Sequence, residues 1–178
     1  MTASGTRSSL RAWRGDVETI RTDTGHIVKG LGLRSATAAD AMFIYDVSDR
    51  TLRRHVEAVS RKWATGKMRD KCARDAIDPS TRIVQVDGID CGVYQLEARP
   101  DEVFLHSMLL LPEFQRRGIG RFLLQAALAN AAARGVPVRL FVMRANPAKA
   151  YYEQFGFVVY DETDQYFAMQ TSAAALTR

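Results

Sequence analysis

The fold turns on the stretch Leu110-Leu111-Pro112-Glu113-Phe114-Gln115-Arg116-Arg117-Gly118-Ile119-Gly120. Upstream of it, residues 102–111 are mostly apolar and read as a central strand covered on both faces. Downstream the period changes: Ile119, Phe122, Leu123 and Ala126 recur at helical spacing to about residue 133, Arg121 and Gln125 point elsewhere, and Arg134-Gly135 supplies a stop. A strand, a short loop and a helix start in that order suit an anion, because the first amides of a helix have no intrahelical partners and the helix dipole favours negative charge. Glycines at 118 and 120 let a phosphate reach the main chain without meeting a Cβ, and Arg116, Arg117 and Arg121 offer charge-assisted contacts. The fragment reads as a pyrophosphate cradle, although a helix start packed closely on a strand would use the same glycines. A dinucleotide fingerprint would need a third glycine where Leu123 stands, and a P-loop would need Gly-Lys-Ser/Thr; neither is present.

Before this stretch, the chain changes character near residue 80. Residues 32–34 suit a short first strand, and Thr37 followed by Asp40 makes a capping-box-like start for a helix over about 38–59. A second amphipathic helix over 61–76 ends at Asp78-Pro79. Residues 81–86 and 91–96 read as an antiparallel pair of strands joined across Asp87-Gly88, a dipeptide suited to a tight hairpin turn. After the glycine stretch come a strand over 137–143, a short helix over 147–154 ended near Gly156, and strands over 157–160 and 165–170. The order is strand, two helices, three strands, helix, strand, helix, two strands.

The 178 residues suit one domain over 29–171, with a flexible extension over 1–28 and a tail over 172–178. With 47% hydrophobic and 25% charged residues and no apolar run near 20 residues, the composition is that of a soluble globular protein without a membrane span. The arginine-bearing start has no apolar run like a secretory signal, so a cytoplasmic location is expected. Cys72 and Cys91 lack metal-ligand spacing and read as reduced, partly buried thiols, so no metal is expected. A net charge of +5 fits an anionic partner. Nucleic acid is disfavoured, because Arg50, Arg53, Arg54, Arg61, Arg69 and Arg74 lack an interleaved aromatic platform.

Gln115-x-x-Gly118-x-Gly120 resembles the acetyl-CoA signature of the GNAT superfamily of N-acetyltransferases. Asn146-Pro147-Ala148-Lys149-Ala150-Tyr151-Tyr152-Glu153-Gln154-Phe155-Gly156-Phe157 is similar to that superfamily's downstream Asn-Pro-Ala…Tyr-Glu-x-x-Gly-Phe block, in the right order and with a helix and a strand between. The resemblance covers about 31–170, most strongly 103–157. It implies an α/β (α+β) fold, with a mixed, mostly antiparallel central sheet flanked by helices. It also implies acetyl-CoA as co-substrate and a small-molecule or peptide amine as acceptor; a non-catalytic acyl-CoA-binding or sensing module is the alternative. A homodimer is left open.

Residue by residue, the resemblance implies a bulged fourth strand whose amides at Met108, Leu109 and Leu110 receive the pantetheine arm, and a pyrophosphate held by Gln115, Arg116, Arg117, Gly118, Ile119, Gly120 and Arg121. Asn146 would hydrogen-bond the arm, and as a residue before Pro147 it also suits a helix N-cap. Tyr152, four residues before Gly156, would protonate the departing thiolate, with Tyr151 its neighbour. His106, on the fourth strand with Phe104, is the candidate base that takes a proton from the amine; Glu97 and Glu102, expected at exposed strand ends, are alternatives. Ribosomal-protein N-terminal acetyltransferases place a glutamate where Phe141 stands, and histone-type enzymes place one where Phe104 stands, so neither acceptor is implied. The acceptor pocket is expected between the first two helices and the last hairpin, near Arg54, His55, Trp63, Asp161, Glu162, Asp164 and Tyr166. Neither cysteine is expected near the site.

Overall fold

The computed structural model describes residues 18–21 and 27–171. Along them run β1 (Glu18–Arg21), β2 (Ile27–Ser35), a 3-10 turn (Ala38–Asp40), α1 (Ala41–Ser60), α2 (Thr65–Ala76), β3 (Thr81–Val86), β4 (Ile89–Ala98) and β5 (Val103–Leu110). A second 3-10 turn (Pro112–Phe114) leads into α3 (Ile119–Arg134), followed by β6 (Val138–Met143), α4 (Ala148–Glu153), β7 (Phe157–Glu162) and β8 (Tyr166–Thr171). The strands form one sheet in the order β1-β2-β3-β4-β5-β6-β8-β7. Only β5 and β6 run parallel, because α3 carries the chain back across the sheet between them; every other neighbouring pair is antiparallel. The sheet is thus mixed and mostly antiparallel, as expected. β1 falls inside the stretch read as an extension and pairs with β2. Residues 27 and 28, also assigned to that extension, begin β2 instead; residues 1–17 and 22–26 and the 172–178 tail lie outside the described residues.

Local chemistry explains the element ends. Asp87 and Gly88 take φ of 51° and 78°, and Val86 pairs with Ile89, which is the two-residue hairpin with both central residues left-handed. The Thr37–Asp40 capping box forms: the Asp40 carboxylate accepts from the Thr37 amide at 2.8 Å and hydroxyl at 3.0 Å. Arg34 clamps the same carboxylate at 2.7 and 2.9 Å and reaches Asp90 at 2.5 Å, which ties the start of the helical region to the sheet. α1 ends at Arg61, whose φ of 58° turns the chain out of the helix, so the expected break between the two helices is present and α2 begins at Thr65 rather than at 61.

Two apolar layers sandwich the sheet. One joins α3 to the sheet through Leu105, Leu110, Ile119, Leu123, Leu124, Leu140, Val142 and Phe157. The other joins α1 and α2 to it through Ile44, Val47, Cys72, Ile83, Val93 and Leu111. The buried stripe of α3 is Ile119, Leu123, Leu124, Ala127 and Ala131. It is rotated from the expected one, so that Phe122 and Ala126 sit only half-buried at its border. No helix among the described residues is long and apolar enough to cross a membrane.

Candidate active site

The glycine loop is built by conformation. β5 ends at Leu110, Leu111 leads into the 3-10 turn Pro112–Phe114, and Arg116 then turns left-handed at φ 59°. Gly118, at φ 84°, is the residue from which α3 departs, with Phe122 N donating to Gly118 O at 3.0 Å as the first helical bond. The amides of Ile119 and Gly120 therefore stand at an uncapped helix start. Ile119 contributes only that amide, because its side chain is 1% exposed in the core. Gln115 is used locally: its Nε2 donates to Leu110 O at 2.8 Å and braces the loop against the strand it leaves. Arg117 lies over the Phe114 ring and Arg121 over the Phe155 ring, with centroid distances of 5.1 and 5.2 Å.

Beside this loop the sheet opens. β5 and β6 are paired only through Val103, Phe104 and Leu105 against Val138, Arg139 and Leu140; beyond them each strand continues without the other. The β6-facing backbone of β5 over Met108, Leu109 and Leu110 consequently has no strand partner among the described residues. The bulge in β5 lies earlier than expected, since Gln95 pairs with Ser107 and Leu96 with Leu105, leaving His106 as the extra residue. That extra residue reverses the alternation of the strand. Leu105, Met108 and Leu110 all face the α3 layer, while Leu109 faces the α1–α2 layer. His106 and Met108, expected on one side, are therefore on opposite sides. Gly92 of β4 permits this close crossing: a Cβ there would lie 2.3 Å from Leu109 O and 2.7 Å from Leu110 Cδ2.

α4 lines the opening from the α3 side. Asn146 Oδ1 accepts from Ala148 N at 2.9 Å, so its side chain caps α4, the second of its two expected roles. Tyr152 packs against Tyr151 and Phe157, with ring centroids 5.7 and 5.6 Å away. Its hydroxyl makes no hydrogen bond among the described residues, and burial pushes its pKa up, which keeps the phenol protonated. Tyr151 is more than a neighbour. Its hydroxyl is buried with no partner, and a Cβ placed on Gly120 would come within 3.9 Å of it and 4.0 Å of Leu110 Cδ1. An orphaned donor facing a cradle that a side chain would fill is the arrangement that a phosphate-bearing cofactor completes. No pattern in the sequence separated the two tyrosines in this respect.

On the other side of the opening, His106 Nε2 lies 2.8 Å from Glu97 Oε2, and its ring stacks at 4.6 Å on Phe104. Phe104 in turn meets Phe141 at 5.4 Å, edge to face, and Phe141 is 58% exposed. Arg99 binds Glu97 at 2.8 Å, and its guanidinium and that of Arg139 hold Glu102 at 2.6 and 3.0 Å. Glu102, expected to be exposed, is 6% exposed, and each of its carboxylate oxygens is engaged by an arginine. Glu97 is committed to Arg99 and His106, and the hydrogen bonds it accepts from them, that of the Arg99 guanidinium foremost, hold its carboxyl below its ordinary range.

The expected acceptor residues do not converge. Trp63 is buried and donates to Tyr45 Oη at 3.2 Å, a packing role. Asp161, Glu162 and Asp164 are exposed at the β7–β8 hairpin. His55 is buried against the β6–α4 loop, with Nδ1 3.1 Å from Ala145 O and Nε2 3.2 Å from Arg54 Nε. The carbonyl needs a donor and Arg54 needs an acceptor, so the proton sits on Nδ1; desolvation lowers this histidine's pKa and keeps it neutral. Arg50, Thr51 and Arg54 of α1 face Pro112, Gln115 and Arg116 across a cavity of about 420 Å³. Sequence reasoning did not connect Arg50 with this site, although its four-residue spacing from Arg54 puts both on one helix face. Cys91 is nearer the site than its sequence position implied, since its carbonyl accepts from Leu111 N at 2.9 Å. Burial pushes its thiol up to about 12, which leaves it inert as a nucleophile.

Comparisons with known proteins agree with this arrangement. Residues 79–159 match the family model described as an acetyltransferase (GNAT) domain, which runs from the start of β3 into β7 and takes in the glycine loop and α4. The chain is 31% identical over 150 residues to a mycothiol acetyltransferase of Clavibacter michiganensis, covering 81% of this chain and 48% of that protein. It is 41% identical over 59 residues to the [ribosomal protein bS18]-alanine N-acetyltransferase of Salmonella typhimurium, covering 32% of this chain and 40% of that protein. The chain thus spans half or less of the length of these curated relatives. In structure it is similar to the PaiA N-acetyltransferase of Thermoplasma acidophilum, solved in complex with coenzyme A, with a TM-score of 0.60 and 20% identity over 80% of this chain and 98% of that one. With its sheet opened beside a left-handed glycine turn, the stretch 79–159 is thereby matched as a GNAT acetyltransferase domain.

Proposed function

We propose that the protein transfers an acetyl group from acetyl-CoA to a primary amine, by direct attack within a ternary complex. The observation that carries the proposal is the opening between β5 and β6, bounded by the glycine loop, by Tyr152 on the α3 side and by His106 on the other. Acetyl-CoA, when bound, supplies an acyl group activated as a thioester. The glycine loop suits its pyrophosphate, through the amides of Ile119 and Gly120, the exposed Arg116 and Arg117 with Arg121, and the Tyr151 hydroxyl. The β6-facing edge of β5 at Met108, Leu109 and Leu110 suits an extended polar arm, which adds to a strand edge as another strand would. The Asn146 carboxamide still has its nitrogen available for the same arm, since only its oxygen is engaged by Ala148.

Proton traffic follows from the two sides. A free alkyl ammonium has a pKa of about 10.4 and must lose a proton before its nitrogen can attack. His106 takes that proton on Nδ1 when Nε2 is held by Glu97, and the Phe104 and Phe141 rings shelter the approach. Tyr152 donates its phenolic proton to the departing sulfur, for which it is supplied protonated. Neither step needs a covalent enzyme intermediate, consistent with the buried, unreactive thiol of Cys91.

The test is release of free CoA thiol from acetyl-CoA across a panel of amine classes: small metabolites, amino acids and peptide N-termini. Amine-dependent thiol release supports transfer. Tight acetyl-CoA binding with no thiol release from any class would replace the enzyme reading with that of an acyl-CoA-binding module.

A further inference from the structure

The cavity between α1 and the glycine loop borders the proposed cofactor site through Gln115 and Arg116, and it is strongly cationic. Three guanidinium groups, Arg50, Arg54 and Arg116, line it, against one neighbouring carboxylate, Glu113. Arg50 is spent on Glu113, which it holds at 2.9 and 3.2 Å. Arg54 and Arg116 are not. Arg54 uses only its Nε, on His55, so both terminal nitrogens lack a protein acceptor among the described residues. Its plane is fixed from behind by a relay in which Ala145 O holds His55 Nδ1 and His55 Nε2 holds Arg54 Nε. Arg116 has no partner among the described residues, and its left-handed backbone turns it out of the loop into the cavity.

Two unneutralised guanidinium groups facing one cavity repel each other unless an anion sits between them. The anion they fit is a phosphate monoester, with about two negative charges and three strong acceptor oxygens, matched by the fork of each guanidinium. Because the cavity shares Gln115 and Arg116 with the loop read as the pyrophosphate cradle, the monoester belongs to the same ligand. We infer that Arg54 and Arg116 form a binding site for the 3′-phosphate of coenzyme A, so that α1 closes the nucleotide end of the cofactor site and selects CoA over its dephosphorylated form. The inference rests on the acetyl-CoA reading above.

Calorimetric titration of the whole chain with CoA and with dephospho-CoA, which lacks only the 3′-phosphate, tests it. Wild type should bind CoA roughly tenfold or more tightly than dephospho-CoA, as expected for a charge-assisted hydrogen-bonded group. The exposed substitution Arg54→Gln should reduce that ratio to near one by weakening CoA alone, with dephospho-CoA affinity unchanged; His55→Gln, which frees the Arg54 plane, should reduce it partly. Equal affinity of wild type for the two ligands overturns the inference and leaves the acetyl-CoA reading standing. So does an Arg54→Gln variant that keeps the wild-type ratio, or one whose only defect is a raised KM for the acceptor, which would assign the cavity to an anionic acceptor instead. Failure of wild type to bind either ligand overturns the acetyl-CoA reading itself, and the inference with it.

Discussion

Two aromatic hydroxyls stand side by side on α4, and their surroundings give them different work. Tyr151 points at Gly120 with an unsatisfied oxygen, while Tyr152 packs on Phe157 at the opening in the sheet. Tyr152→Phe is expected to lower kcat by at least about tenfold, in the range of a general acid, with acetyl-CoA affinity unchanged. Tyr151→Phe should do the reverse and weaken acetyl-CoA binding while turnover of the saturated enzyme holds. Steady-state kinetics beside direct binding measurements separate the two, and a Tyr152→Phe enzyme with wild-type kcat removes that residue from the mechanism. For His106→Ala, the acidic limb of the pH–rate profile is expected to disappear, because a base must be unprotonated to act; profiles that superimpose on wild type discard it. Tyr152 and His106 were legible in the sequence as candidates, whereas Tyr151 stood there only as the neighbouring ring. What was not legible is the partner each has, since Glu97 reaches His106 only through the pairing of β4 with β5, and Tyr151 reaches Gly120 only through the packing of α4 on α3.

Among the elements, β5 carries the most consequence. Its extra residue at His106 shifts every later side chain to the opposite face, and Gly92 on β4 makes room for the shifted strand. Gly92→Ala would set a Cβ against Leu109 O and is expected to cost about 1–3 kcal/mol, as overpacking does, read as a lower Tm together with weaker acetyl-CoA binding. An unchanged Tm would mean that the strands separate at no cost. The helix starts make a separate prediction about acid. Asp40, held at about 2 against an ordinary 3.8 chiefly by the Arg34 guanidinium, stabilises the fold when ionised. Its depressed pKa means that the contribution is complete above about pH 4 and is lost as the pH falls toward 2. Asp40→Asn should remove up to about 2 kcal/mol at pH 7 and flatten this part of the acid unfolding curve. Period, turn chemistry and capping made nearly every element visible in advance, because each is a local signal: Asp87-Gly88, Thr37 with Asp40, and Arg134-Gly135 all behave as their residues dictate. The bulge was expected at Met108–Leu110 and lies at His106 instead, because residues 103–111 are mostly apolar on both faces and so offer little alternation in the sequence to locate a one-residue shift.

Across the whole molecule, α1 with α2 and α3 with α4 bury the two faces of one sheet, and the cofactor reading places the ligand where those layers and the opening meet. A ligand that binds only the folded state at one hundred times its Kd adds about 2.7 kcal/mol, so saturating acetyl-CoA should raise Tm by roughly 5–10 °C. Absence of any shift would argue against the site as a whole. The short parallel ladder of Val103–Leu105 with Val138–Leu140 has a mechanical meaning as well. Among the described residues it is the one strand ladder joining the β6-β8-β7 part of the sheet to the rest, and three residue pairs make a weak seam. Amides flanking it should exchange with solvent faster than those of the β3-β4 hairpin, and a bound cofactor lying along the gap would act as a removable rivet, turning two loosely joined panels into one plate.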